Sequence, residues 1–240
     1  MYNDINNNMN DKMNDNIIDK KNILLDHDLE KMRHDILAMA SRVEEYLGKA
    51  LAALMNGDRE LAKEVKANDK IVNSMQLKME DEASILLATR HPAAGDLREM
   101  VSIFKIAGNL ERIGDYAVHL AKAAIKLSGD PPFRSLEHIQ KMAGTGQEML
   151  RLAISAFLAK DPEAARRTAA MDTVIDAEHK LLSEEILSLM KHPKASAKKA
   201  LRILKISGDL ERMGDHITTI CEIVIFMILA RHENLNAQGR

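Results

Sequence analysis

Tryptophan is absent from the 240 residues, cysteine occurs once, tyrosine three times, phenylalanine four times and proline five times. With so few aromatics, and with the strong helix formers Ala, Leu, Met, Lys and Glu abundant, a β-rich fold is excluded in favour of helices. The lone Cys221 can make neither an intramolecular disulfide nor a thiolate metal site, which suits a reducing compartment, and it reads as a small apolar helix residue. Neither sign of charge is in excess: Lys and Arg total 34 against 36 for Asp and Glu, so no overall field draws the chain to nucleic acid or to an anionic membrane. Long apolar runs are missing too. The longest, Ile217 to Ala230, is about 14 residues and is interrupted by Glu222, short of the roughly 20 that span a bilayer. The segment from Met1 to Asn22 lacks the apolar centre of an export signal, so a cytoplasmic protein is expected. There is also no G-x-x-x-x-G-K-S/T segment, so ATP turnover is not expected of this chain.

What is present is helical and duplicated. The first 25 residues are Asn- and Asp-rich, too polar to bury themselves, and are expected to form a disordered extension. Asp26 or Asp28 can cap a first helix running to about Met55, and Asn56-Gly57-Asp58 is a turn that offers Asp58 as the next cap. The second helix is expected to run to His91-Pro92, and the third from near Asp96 to Leu127. Ser128-Gly129-Asp130-Pro131-Pro132 is the strongest break and the expected domain boundary. Helix four then covers Ser135 to about Ala159, helix five opens with Asp161 as cap and Pro162 behind it and stops at His192-Pro193, and helix six fills Ser196 to Arg231. His91 and His192 precede prolines and read as terminal caps.

Asp58 and Asp161 open the second helix of each half, and the same offset pairs Asp69 with Asp172 and Asn73 with Asp176. The third helices align as FKIAGNLERIGDYA from Phe104 against LKISGDLERMGDHI from Leu204, which marks an internal duplication. The expected fold is therefore all-α: six long helices in two tandem, pseudo-symmetric three-helix bundles, over 26–130 and 131–240. Ile103, Ile106, Leu110, Ile113, Ala117, Leu120 and Ala124 have helical spacing and form the expected core seam, matched by Ile203, Ile206, Leu210, Met213, Ile217 and Ile220. The apolar stretch from Ile223 to Leu229 is expected to be exposed, and a homodimer is expected on that basis.

The chemistry sits in the duplicated segment. Glu111 and Asp115 stand four residues apart on one helix face, as do Glu211 and Asp215. Like charges at that spacing destabilise a helix by roughly 0.2–0.5 kcal/mol, an arrangement that a cation would relieve. Gly108 and Gly114, with Gly208 and Gly214, each cost a helix interior about 1 kcal/mol and are expected to clear space beside the acids. Asp69, Asn73, Gln76 and Glu80 form a polar stripe on the preceding helix, matched by Asp172, Asp176, His179 and Ser183. Oxygen donors from two helices favour a hard cation, iron, manganese or magnesium, over zinc, because His119, His179 and His216 are not at matched positions. Two metal-free readings stand beside this one: an ordinary solvated acidic face, or Arg112 or Arg212 pairing with carboxylates of a neighbouring helix.

The two ExxxD segments, Glu111-Arg-Ile-Gly-Asp115 and Glu211-Arg-Met-Gly-Asp215, together with Asp96-Leu97-Arg98 and the duplicated three-helix unit, resemble the PhoU family of phosphate-specific transport system accessory proteins. The resemblance covers about Asp28 to Arg231. It implies metal ligands at Glu111, Asp115, Glu211 and Asp215 in multinuclear iron or zinc clusters, with Asp69, Asp172 and Asp176 as secondary candidates from the residue pattern. It also implies a cytoplasmic negative regulator of phosphate uptake and of the phosphate-starvation (Pho) response, without catalysis of its own. Its implied partners are the ATP-binding subunit of the phosphate transporter (PstB) and a phosphate sensor histidine kinase (PhoR). The chain departs from the family pattern at Tyr116, His119 and Thr219. The alternatives are a carboxylate-bridged di-metal enzyme and a metal-free helical scaffold.

Overall fold

The structure is a computed structural model that describes residues 2–90, 92–128, 136–191 and 197–236, with side chains from residue 23 onward. Its elements are α1 (Tyr2–Asn56), α2 (Arg59–Ala67), α3 (Asp69–Arg90), α4 (Ala94–Leu127), α5 (Leu136–Ala159), α6 (Pro162–Ala170), α7 (Asp172–Leu189) and α8 (Ala197–Leu229). Among the described residues no strand occurs, and no helix is long and apolar enough to cross a membrane. The expected domain boundary beyond Ser128, His91 of the first His-Pro stop and the whole of the second stop lie outside the described residues, and α3 and α4 end at Arg90 and Leu127, just before the first stop and the boundary.

Local chemistry explains the helix starts. Asp58 accepts hydrogen bonds from the N–H groups of Glu60 and Leu61, and Asp161 does the same for Glu163 and Ala164 with Pro162 behind it. The residue before each cap turns left-handed: Gly57 at φ 66° and, in the second half, Lys160 at φ 53°. Glycine takes that conformation freely, whereas lysine is strained there by roughly 1–2 kcal/mol, so the Lys160 side chain must have work elsewhere.

The structure departs from the expected outline in three respects. The second and fifth helices are each broken, at the matched positions Asn68 and Met171. There the ladder tightens: the Asn68 N–H bonds to both Glu64 O and Val65 O, and the Met171 N–H to Thr168 O. The first helix begins at Tyr2, where an extension without structure was expected. Once α1 is nucleated on its packed portion, each added residue gains a hydrogen bond, so polar composition alone does not stop the backbone helix. Most of the expected apolar surface at Ile223 to Leu229 is interior instead: Ile223, Val224, Ile225 and Met227 are buried, and Leu229 alone of the stretch is exposed. The reason is topological, because α8 is a central helix packed against α4, α5, α6 and α7. The two expected bundles are joined side by side: α4 packs on α8, α1 packs on α5, and one continuous core runs through both.

Every residue of the two expected seams is buried. Contacts pair Asn109 with His216, His119 with Asp209 and Lys126 with Arg202, so α4 and α8 run antiparallel. Tyr116 and His216, at matched repeat positions, bring their rings within 5.8 Å near the centre of that crossing.

An ion cluster locks the halves together. Glu99 on α4 is 5% exposed and accepts from Arg33 Nε on α1 at 2.5 Å and from Lys160 Nζ in the second half at 2.8 Å. This bond is the work that holds Lys160 in its left-handed turn. Burial pushes the Glu99 carboxyl up, but the Arg33 and Lys160 bonds outweigh burial and its pKa lies below the usual value. Replacing Glu99 by Ala leaves two cations beside a buried gap and is expected to cost about 3 kcal/mol in urea denaturation at neutral pH. Because the folded pKa is depressed, the difference between wild type and Glu99→Ala should be full above pH ~4.5 and fade as the pH falls further.

Candidate functional site

Each half builds an acidic surface from two elements: the middle of its last helix, and the first turn of the segment that begins at the break. In the second half the break makes Asp172 the first residue of α7, where the helix dipole favours a carboxylate. Asp172 is nevertheless 9% exposed, and its Oδ1 is buried with no hydrogen-bond partner among the described residues. Burial, with the charges of Asp176, Asp215 and Glu211, pushes its pKa up to about 7. The expected ligands of the second half are thus brought into one electrostatic cluster. Asn236, beyond α8, donates to Asp215 Oδ1 at 3.2 Å, a contact that no sequence signal announces.

The glycines divide by role. A Cβ at Gly214 would lie 2.0 Å from Asp172 Oδ1 and 3.2 Å from Ile175 Cδ1, so only glycine lets the carboxylate settle against the α8 backbone. At Gly114 the near neighbour is Val72 Cγ1 at 3.3 Å, so in the first half the cleared space is filled by an aliphatic side chain. Gly208 has nothing within 4 Å of a built Cβ and Gly108 only Gln76 Nε2 at 3.9 Å, so these two do not clear room for the acids as expected.

In the first half Glu111 is 14% exposed at its side chain and Asp115 is 33% exposed. Burial raises the Glu111 pKa first, then Asp115, with Asp69 and Glu80 adding to it and Arg112 opposing. Arg112 approaches Glu111 Oε2 and Asp115 Oδ2 at 3.5 Å each, a pairing within α4 and not the one with carboxylates of a neighbouring helix that the sequence left open. Gln76 donates to Glu80 Oε1 at 2.8 Å, which ties down one oxygen of the stripe.

The histidines stand apart from the acids. His179 turns its Nδ1 to the buried Ser207 Oγ at 2.6 Å, and Ser183 donates to the His179 carbonyl, so the lower part of the second stripe is occupied by its own contacts. His216 Nδ1 lies 2.9 Å from Asn109 Oδ1, and burial lowers its pKa against the pull of Asp215. Cys221 is fully buried, as its reading as a small apolar residue anticipated, and burial raises its thiol pKa to about 12. Among the described residues no three His, Cys, Asp or Glu side chains are arranged to hold an ion. What the carboxylates offer is negative charge, hard oxygen donors and, at Asp172 Oδ1, an oxygen without a hydrogen bond.

Two measurements check this description. Gly214→Ala should destabilise the protein by about 1–3 kcal/mol through the Asp172 clash, whereas Gly208→Ala should stabilise it by up to about 1 kcal/mol by helix propensity, both read by urea denaturation. In protein stripped of divalent ions, the raised Asp172 pKa means that the folded state binds a proton the unfolded chain releases between about pH 4 and the folded value of about 7. Stability should fall as pH rises through that window, and Asp172→Asn should flatten the slope.

Comparison with known proteins agrees with this architecture. The sequence model of the PhoU domain matches twice, over residues 36–124 and 139–224. The phosphate-specific transport system accessory protein PhoU homolog of Pseudomonas putida is 36% identical over 203 residues, 84% of this chain and 79% of that protein. Its namesake from Clostridium acetobutylicum is 29% identical, over 89% of this chain and 98% of its own. Among solved structures, PhoU from Pseudomonas aeruginosa superposes with a TM-score of 0.81 at 35% identity, covering 86% of this chain and 99% of that one. The phosphate transport system regulatory protein PhoU from Streptococcus pneumoniae gives 0.82 at 31% identity, covering 88% and 99%. With both halves matched and identity above 30% over most of its length, this chain belongs to the PhoU family.

Proposed function

We propose that this chain is a non-enzymatic accessory protein of phosphate transport, a negative regulator of phosphate uptake and of the phosphate-starvation response. It works in the cytoplasm as an adaptor between the transporter's ATP-binding subunit and a sensor histidine kinase. The observation that carries this reading is family membership over both halves, with relatives named as phosphate transport accessory proteins and with the paired acids kept in each copy.

Within that role the acidic surfaces are proposed as cation sites. Glu211 and Asp215, supported by Asp172 and Asp176, would hold one, and Glu111 and Asp115, supported by Asp69, the other. Iron in a multinuclear cluster is the first expectation, with zinc, manganese or magnesium as alternatives. The bound cation supplies positive charge that neutralises the acids and fixes the α7 and α3 starts against α8 and α4. Because Asp172 is buried with its Oδ1 left without a hydrogen bond, the second half is the stronger site. In the first half the approach of Arg112 to both carboxylates supports a metal-free ion pair as a second reading.

Elemental analysis and pull-downs separate these statements. Purified protein should carry metal, Glu211→Gln/Asp215→Asn should lose at least half of it, and Glu111→Gln/Asp115→Asn should lose less. Deletion of the gene should derepress phosphate-starvation genes under phosphate sufficiency. Failure to bind either the transporter ATPase or the kinase, together with unchanged repression in the deletion, would overturn the adaptor role.

A further inference from the structure

Away from the acids, the α4–α8 seam holds a hollow of about 200 Å³ lined by His119, Lys122, Lys126, Arg202, Lys205 and Asp209. The chain as a whole carries a formal net charge of −2, so this concentration of positive charge is local and not a consequence of general basicity. Its one acid is already engaged: Asp209 accepts from Lys205 at 3.0 Å and sits 3.4 Å from His119. Among the described residues no carboxylate pairs with Lys122, Lys126 or Arg202, and Arg202 spends only Nη1, on the Lys126 carbonyl at 3.3 Å. His119 Nδ1 is buried in the same wall without a hydrogen bond. Three uncompensated cations facing one hollow repel one another, and an anion seated between them removes that cost.

The duplication supplies an internal control. At the other end of the same antiparallel pair the matched positions are Ser102, Lys105, Asn109, Thr219, Glu222 and Phe226. There Lys105 Nζ lies 5.8 Å from the Phe226 ring centre, His232 stacks on that ring at 4.3 Å, and Glu222 accepts the Leu235 N–H at 2.7 Å. The same frame is therefore filled and charge-balanced at one end and left open and cationic at the other. Packing two copies of one helix does not require that difference.

We propose that this hollow is a binding site for a phosphate-class oxyanion that bridges the two halves. The donor set chooses the class. A carboxylate offers one charge and two oxygens, whereas a phosphoryl group offers up to two charges and at least three acceptors, enough for Lys122, Lys126 and the remaining guanidinium N–H groups to take separate oxygens. Since Lys122 and Lys126 belong to the first half and Arg202 to the second, occupancy tightens the seam between them, and it does so whether or not the regulatory role proposed above holds.

Titration calorimetry on the full chain at low salt, with inorganic phosphate and with pyrophosphate, tests the site. Saturable binding of either anion to a single site is expected, weakened roughly tenfold or more in Lys122→Gln/Arg202→Gln and unchanged in Lys105→Gln at the matched filled end. Circular dichroism melts of the variants guard against misfolding, and both basic positions lie at the surface edge of the seam. Three results would each overturn the assignment: no saturable binding of either anion; binding undiminished in the double variant, which would locate the anion elsewhere, including at the acidic surfaces through a metal; or capture of a polyglutamate peptide with neither phosphate probe bound.

Discussion

Everything in this molecule is arranged around the antiparallel packing of α4 on α8, two copies of one helix laid against each other. Each of these helices has to be apolar along the stripe that enters the shared core, because a polar group there would be buried without a partner. Each has to be acidic on another face, where the broken second helix of its own half brings further carboxylates. The crossing is pinned at its centre by Tyr116 and His216 and held at its flank by Glu99, which joins α4 to the strained turn at Lys160. Burying a single long ridge in this way makes two small bundles into one body with one continuous core.

The acidic surfaces show how a duplicated sequence yields two non-identical sites. Both halves keep the ExxxD spacing, the glycine before the aspartate and the helix break. In the second half the glycine admits Asp172, which is pressed into a dry place among like charges and acquires a carboxyl that resists ionisation. In the first half Val72 takes that space, and Arg112 leans across the two acids. An arginine thus approaches both acids on one side, while on the other a buried carboxyl stands among like charges. The same divergence recurs at the two ends of the α4–α8 seam, one closed by Phe226 and its neighbours, the other open and basic.

Much of this was readable beforehand, for reasons that are local. Asp58 and Asp161 are followed by unsatisfied amides that only a cap can serve, and both act as caps. The core stripes repeat with helical spacing, and each of their members is buried. The repeat offsets matched Asp172 with Asp69 and Asp176 with Asn73, which marked these acids as candidates, but which acids share one field depends on how α7 lies against α8. The breaks at Asn68 and Met171 were not legible, since no proline or glycine marks either position and the ladder merely tightens there. Nor could the 217–230 run reveal that most of it lies inside, because an apolar helix surface looks the same whether it meets a second copy or the rest of its own chain.

The sequence by itself determined the helical class, the duplication, the caps, the buried stripes and the identity of the acids, all of which follow from residue type and spacing within single helices. Only the tertiary structure decided which acid loses its water, which glycine is needed for close approach, and which cations are left without a counter-charge. Those are properties of what lies opposite a side chain, and two segments with the same LERxGD pattern differ in them because their neighbours differ.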